Sequence, residues 1–170
     1  MKLIDLTHST TRKAVPDNAI PVVVRSIDST HLIPLDRLVT LATVVDLTEH
    51  LRKSSIIDRL AISKTGVADI GGCILYTGWC DRYMSGDVFE MPVLTVDAAA
   101  YLLEGGVRTI ASDFPISNDT ADMLLHNNCV LVHCLSNVLS LSKDIVRLVA
   151  LPIKYEDTYS AEARVIAIEE

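Results

Sequence analysis

Apolar residues in this chain come in short β-branched runs, broken by polar or glycine-rich punctuation, and few of the runs keep a helical period. Lys2–Leu6 predicts an opening strand, and Thr7–Asn18, with Pro16 inside it, predicts a polar loop. Ile20–Ile27 reads as a second strand, with Pro21 near its start suiting a sheet edge. Leu38–Leu47, rich in Val and Thr, predicts a longer buried strand. Arg52–Ile62 has a weak helical period and is expected as a helix. Gly71-Gly72 sets off a strand at Cys73–Thr77, and Gly78–Glu90 is expected as a polar loop of the kind that carries function.

The C-terminal half alternates helix and strand. Thr95 can cap a helix in which Asp97 favours the positive end of the dipole and Gly105-Gly106 makes the stop. Val107–Ala111 follows as a strand, Asp119–His126 as a short helix and Cys129–Leu135 as another strand. Val146–Pro152 and Arg164–Ile168 close the chain as two more. The pattern predicts a single α/β domain over residues 1–170, with a mixed β-sheet and few flanking helices.

Composition narrows the function classes. Hydrophobic residues make up 49% of the 170 and charged residues 22%, so much surface must be buried in the core or against another subunit. A homo-oligomer is expected. The net charge of −7 leaves no basic stripe for phosphates, so no nucleic-acid partner is expected. No apolar run approaches a membrane span, and Asp5 and His8 interrupt any leader-like start. Four cysteines, Cys73, Cys80, Cys129 and Cys134, form no Cys-x-x-Cys pair and sit mostly in apolar runs, which predicts reduced thiols and a cytoplasmic protein. Neither a Gly-x-Ser-x-Gly elbow nor a phosphate-binding glycine loop occurs.

Several segments, in order, resemble the cyclase family, whose best-known members are bacterial kynurenine formamidases. Ile4-Asp5-Leu6-Thr7-His8 is similar to the family's opening Ile-Asp-Leu-Ser-His. Pro34–Asp46 resembles its Pro-Leu-Glu-Arg-Leu-Val strand, and Thr77-Gly78-Trp79 sits where the family ends a strand beside its active site. Glu104–Pro115 is similar to the segment leading into Ile-Asp-x-Pro-Ser, and Ala150–Lys154 with Ala163–Ile168 to the closing strands. The resemblance implies a β/β/α fold with a barrel-like sheet, dimers or tetramers, and one or two divalent metals that activate water against an amide.

The implied ligands are missing. The family motif His-x-Gly-Thr-His-x-Asp-x-Pro-x-His belongs just before Pro34, where only Ser26–Ile33 remains. Ser29-Thr30-His31 is either a remnant of Gly-Thr-His or a loop left by outright deletion, with Ile27, Ile33 and Leu35 near the other ligand offsets. In the second cluster the resemblance puts Ala121 at a His position and His133 where a Glu belongs.

No catalytic metal is therefore expected, with zinc or manganese as the alternative if His8, His31 and His133 form a rearranged site. Each has a plainer reading: His8 satisfying a strand-end loop, His31 solvated, His133 and Cys134 ending an apolar strand with their side chains on opposite faces. Thr77, Trp79, Arg82, Asp113 and His133 are the candidates for a ligand crevice. Asp113 could equally bond the turn that Pro115 begins, and the Trp79–Tyr83 loop could pack an interface. The expectation is a degenerate family member that binds a small carboxylate or amide, or serves as a partner subunit. The alternative is an arylformamidase-type hydrolase of N-formylkynurenine or a cyclic amide.

Overall fold

In the computed structural model, residues 1–9, 21–67, 70–87 and 90–170 are described. The strands are β1 (Lys2–Asp5), β2 (Val23–Arg25), β3 (Val39–Asp46), β4 (Ile56–Ile57), β5 (Gly71–Tyr76), β6 (Val93–Leu94), β7 (Thr109–Ser112), β8 (Val130–His133), β9 (Ile145–Pro152) and β10 (Ser160–Glu169). The helices are α1 (Leu35–Leu38), α2 (Thr48–Leu51), α3 (Arg59–Ser63), α4 (Trp79–Met84), α5 (Val96–Glu104) and α6 (Asn118–His126).

Among the described residues, eight strands form one sheet in the order β1-β10-β2-β8-β7-β5-β3-β9, and β9 pairs back onto β10. Seven strands thus close into a barrel. The closure falls to β10, the longest strand, which carries β9 on one edge and both β1 and β2 on the other. Strands β3, β5, β7 and β8 run parallel, and the rest of the barrel is antiparallel. This is the mixed α/β barrel with few helices that the sequence predicts.

Burial explains why the strands read as they do. On β10, Ala163, Val165 and Ala167 fill the barrel interior while the residues between them face outward, so burial alternates. The parallel strands β7 and β8 are buried throughout, because α5 and α6 cover their outer faces. Ala42, Ala111, Ala150, Ala163 and Ala167 are small enough for a narrow barrel interior. A second apolar layer between barrel and helices includes Leu75, Trp79, Ala98, Leu102, Ile110, Phe114, Leu124 and Leu131.

Helix α5 begins and ends as its residues dictate: Thr95 Oγ1 accepts the Ala98 N–H at 3.2 Å, and Gly106 takes a left-handed φ of 83° just past the end. Elsewhere the expectations are corrected. Arg52–Ile62 is not one helix. Ile56 and Ile57 pair with Val93 and Leu94, and Asp58 caps the separate α3 by accepting the Ala61 N–H at 2.8 Å. The Gly78–Glu90 loop contains α4. Of the expected strand at Ile20–Ile27, only Val23–Arg25 pairs, and Ile20 lies outside the described residues, as does most of the Thr7–Asn18 loop. Among the described residues no helix is long and apolar enough to cross a membrane.

Candidate functional site

The parallel strands deliver Asp46, Tyr76, Ser112 and His133 to one end of the barrel, where open α/β sheets commonly bind ligands. Asp113, one residue past β7, is 2% exposed. Its Oδ1 accepts the Thr77 N–H at 2.9 Å and the Thr77 hydroxyl at 2.8 Å. Its Oδ2 accepts the N–H groups of Gly78 and Trp79, the latter at 3.1 Å. Burial pushes the Asp113 carboxyl up to about 7, against the pull of those donors. All four bonds are to the turn that begins α4, so Asp113 positions that turn from beneath and has no oxygen left for a ligand.

Above the turn lies a crevice of about 390 Å³, with Arg52, Tyr76, Thr77, Asp81, Arg82 and Leu139 in its wall. Thr77 and Arg82, two of the crevice candidates, are in this wall; Tyr76 and Arg52, also in it, were not among the candidates. Both arginines are already paired, Arg82 with Asp87 at 3.4 Å and Arg52 with Glu49 at 2.7 Å. Burial pushes the Tyr76 phenol up, and Asp113, Asp81 and Asp46 add to the shift. Trp79 is not in the crevice. It packs in the layer between barrel and helices, stacked on Tyr83 at 4.8 Å between ring centroids, with its indole Nε1 buried and unpartnered.

His8 crosses the same end of the barrel, and its Nε2 stands 3.0 Å from the Cys80 Sγ. That hydrogen bond holds His8 above the usual imidazole range. Cys80 in turn reaches the Cys134 carbonyl at 3.8 Å, and contact with Cys134 together with burial pushes its thiol up. Cys134 has a left-handed φ of 64°, which breaks the strand alternation. Instead of facing away from His133 it joins the outer apolar layer with Leu131, a correction to the expected opposite faces.

His133 ends β8 at this same end but belongs to the outer side of the β2–β8 pair. In the β2–β8 pair, Val23 stands opposite His133 and Arg25 opposite Leu131. Val24 and Val132 face the barrel interior, so Arg25 and His133 face outward as diagonal neighbours. His133 Nδ1 accepts the Ile116 N–H at 3.3 Å, which puts the ring proton on Nε2, and Nε2 is buried with no partner. Burial, helped by the charge of Arg25, pulls His133 down to about 4. Arg25 is half-buried and has neither ion pair nor hydrogen bond from its side chain among the described residues. Sequence reasoning missed it, although a cation ending the run Val22-Val23-Val24 was a legible signal.

The three candidate ligands for a metal do not converge. His8 is held by Cys80, His133 by Ile116, and His31 sits on a short turn with Nδ1 3.1 Å from the Tyr155 carbonyl. Ala121 on α6 is fully buried and has no donor to offer. Among the described residues no group of three or more His, Cys, Asp or Glu side chains could hold a metal ion. The described residues do not by themselves make up a catalytic zinc or manganese centre.

The Cyclase family model matches residues 4–120. The chain belongs to the cyclase family. Solved structures share its fold across nearly the whole length. One is a potential metal-dependent hydrolase with cyclase activity, at 19% identity and a TM-score of 0.77, covering 99% of both chains. Isatin hydrolase A from Ralstonia solanacearum superposes with a TM-score of 0.79 at 16% identity, over 99% of this chain and 92% of that one. Isatin hydrolase A from Labrenzia aggregata, bound to benzyl benzoate, gives 0.77 at 15% identity, over 98% and 93%. No curated protein sequence matches. The cyclase fold is thus kept.

Proposed function

We propose that this cyclase-family protein has given up metal-dependent hydrolysis and binds a small ligand on the retained scaffold. One observation carries the reading. His133, at a position the family resemblance assigns to a metal ligand, has as its diagonal neighbour the Arg25 guanidinium, which makes no ion pair among the described residues. A fixed positive charge there opposes a divalent cation, and Ala121 removes a further ligand. His8, His31 and His133, each bonded to a different partner and forming no metal-holding group among the described residues, support the same conclusion. The test is metal content after incubation with zinc or manganese, alongside hydrolysis of N-formylkynurenine and isatin. The expected result is no stoichiometric metal and no turnover that a chelator abolishes. A stoichiometric metal with chelator-sensitive turnover would instead establish the second reading, a rearranged-ligand hydrolase, which the isatin hydrolases of similar fold favour.

Self-association belongs to the proposal. Leu32, Leu35, Leu139 and Tyr159 are large, apolar and well exposed, and a homodimer or tetramer would cover such surface. Light scattering that returns the mass of one chain, 18.6 kDa, would remove this part.

A further inference from the structure

Two of the cysteines meet in the fold, although they stand 54 residues apart in the chain. The turn that Asp113 holds begins α4 and sets Cys80 in that helix's first turn. Cys134, one residue past β8, has the left-handed φ that carries its side chain into the same outer layer. There the Cys80 Sγ lies 3.8 Å from the Cys134 carbonyl, and the two thiols are in hydrogen-bond contact. Cys80 also meets the imidazole of His8, whose Nε2 stands 3.0 Å from its Sγ.

The cluster is a dithiol with a base beside it. Both cysteines are buried, and contact with Cys134 together with burial pushes the Cys80 thiol up, so it rests protonated. A protonated thiol is a poor nucleophile until a base takes its proton, and His8 Nε2 is within reach to do so. His8 is half-buried and stands in the wall of a cavity of about 490 Å³, with Asp5, Thr7 and Arg164. Its ring touches both the cavity and the thiol, so an oxidant the size of water that enters the cavity comes within one side chain of Cys80. Cys73 and Cys129 are buried too, and among the described residues neither has an imidazole bonded to it; the Cys129 thiol turns to the Val130 carbonyl at 3.7 Å.

We propose that Cys80 and Cys134 form a reversible, peroxide-sensitive dithiol, with His8 accepting the Cys80 proton. The Cys80 sulfur attacks one oxygen of hydrogen peroxide. An S–O bond forms as the O–O bond breaks, and the proton taken by His8 leaves with the released hydroxide as water. The Cys134 sulfur then displaces the hydroxyl of the Cys80 sulfenic acid, which makes the S–S bond and a second water. Both thiols are oxidised, by two electrons in all, and one peroxide is reduced to two waters. The crosslink ties the first turn of α4, the helix that carries Asp81 and Arg82 of the crevice wall, to the end of β8. This site goes beyond the metal-free reading and does not depend on it.

The test treats the reduced, folded chain with hydrogen peroxide and maps its peptides by mass spectrometry without reduction. The expected product has lost two hydrogens, joins the Cys80 and Cys134 peptides, and returns to its starting mass with dithiothreitol. This map uses the unaltered protein, so it stands even where a variant fails to fold. Cys134→Ser should stop the reaction at the Cys80 sulfenic acid, which dimedone traps, and Cys80→Ser should leave no crosslink. His8→Gln should slow both the crosslink and, in the Cys134→Ser background, the dimedone reaction at least about tenfold, which places the effect on the first step. Cys73→Ser and Cys129→Ser should crosslink as the wild type does. The proposal is overturned by thiols that survive peroxide in the folded protein, by a crosslink that uses Cys73 or Cys129, by bonds only between chains, or by an unchanged rate in His8→Gln.

Discussion

Asp113 and His133 end adjacent parallel strands, both almost fully buried, yet their surroundings are opposites. Asp113 receives four hydrogen bonds from three consecutive residues, so its burial is offset in part and its role is to fix the Thr77–Trp79 turn. His133 receives one bond, keeps one nitrogen unmet and has a cation as its neighbour. A buried polar group whose valences are all met by its own backbone is finished as structure. One with a valence open beside an unpaired charge is where a ligand can add free energy.

The comparison can be broken most forcefully at Asp113. Asp113→Ala leaves four donors without an acceptor and should lower the unfolding free energy by about 4 kcal/mol or more in urea titrations. A loss below about 1 kcal/mol would mean that the cap is not structural.

Next in size is the pH dependence, where the two groups carry opposite signs. His133 is held down from 6.5 to about 4, so the folded state stays neutral while the unfolded chain takes up a proton. Its contribution is present above pH 6.5 and is lost as the pH falls to about 4, a change of about 3 kcal/mol. Asp113 is raised from 3.8 to about 7, so its contribution is present below pH 3.8 and is lost as the pH rises through about 7. The two slopes oppose each other between pH 4 and 6.5. The wild-type stability profile should therefore be flatter than that of either variant: rising with pH in Asp113→Asn, falling in His133→Gln. Parallel profiles for all three proteins would refute the opposing signs.

Smaller effects sharpen the contrast. Thr77→Val removes one hydroxyl that donates to Asp113 and accepts from Trp79, and should cost about 1–2 kcal/mol by thermal or urea unfolding. Arg25→Met should change stability by no more than about 0.5 kcal/mol, because among the described residues Arg25 has no ion pair or side-chain hydrogen bond to lose. A large loss there would show that the guanidinium is structural after all.

Much of this was legible from the chain. The barrel strands announced themselves because a strand buried on both faces must be continuously apolar, as at Val130–Val132, and one buried on a single face must alternate, as at Ala163–Ile168. Thr95 and Gly105-Gly106 marked α5 because caps are local chemistry. Helix α4 was missed for the opposite reason: it has only six residues, and the carboxylate that satisfies its N-terminus comes from Asp113, far along the sequence. The weak period at Arg52–Ile62 misled because Ile56 and Ile57 find sheet partners in Val93 and Leu94, which local propensity does not see.

The candidate site divides in the same way. The polar end of β5 at Thr77 is read from the sequence itself, and the missing metal motif, with Ala121 and His133 at the second cluster, is what the family resemblance implies. Which groups meet was decided by tertiary structure. Register set Arg25 diagonally beside His133, the turn after β5 consumed every oxygen of Asp113, and the chain path brought His8 to Cys80. Residue identity sets what each side chain can donate, accept or bury, and a chain carries that locally. Whether a valence is met depends on neighbours many residues away, and only the closed barrel fixes those.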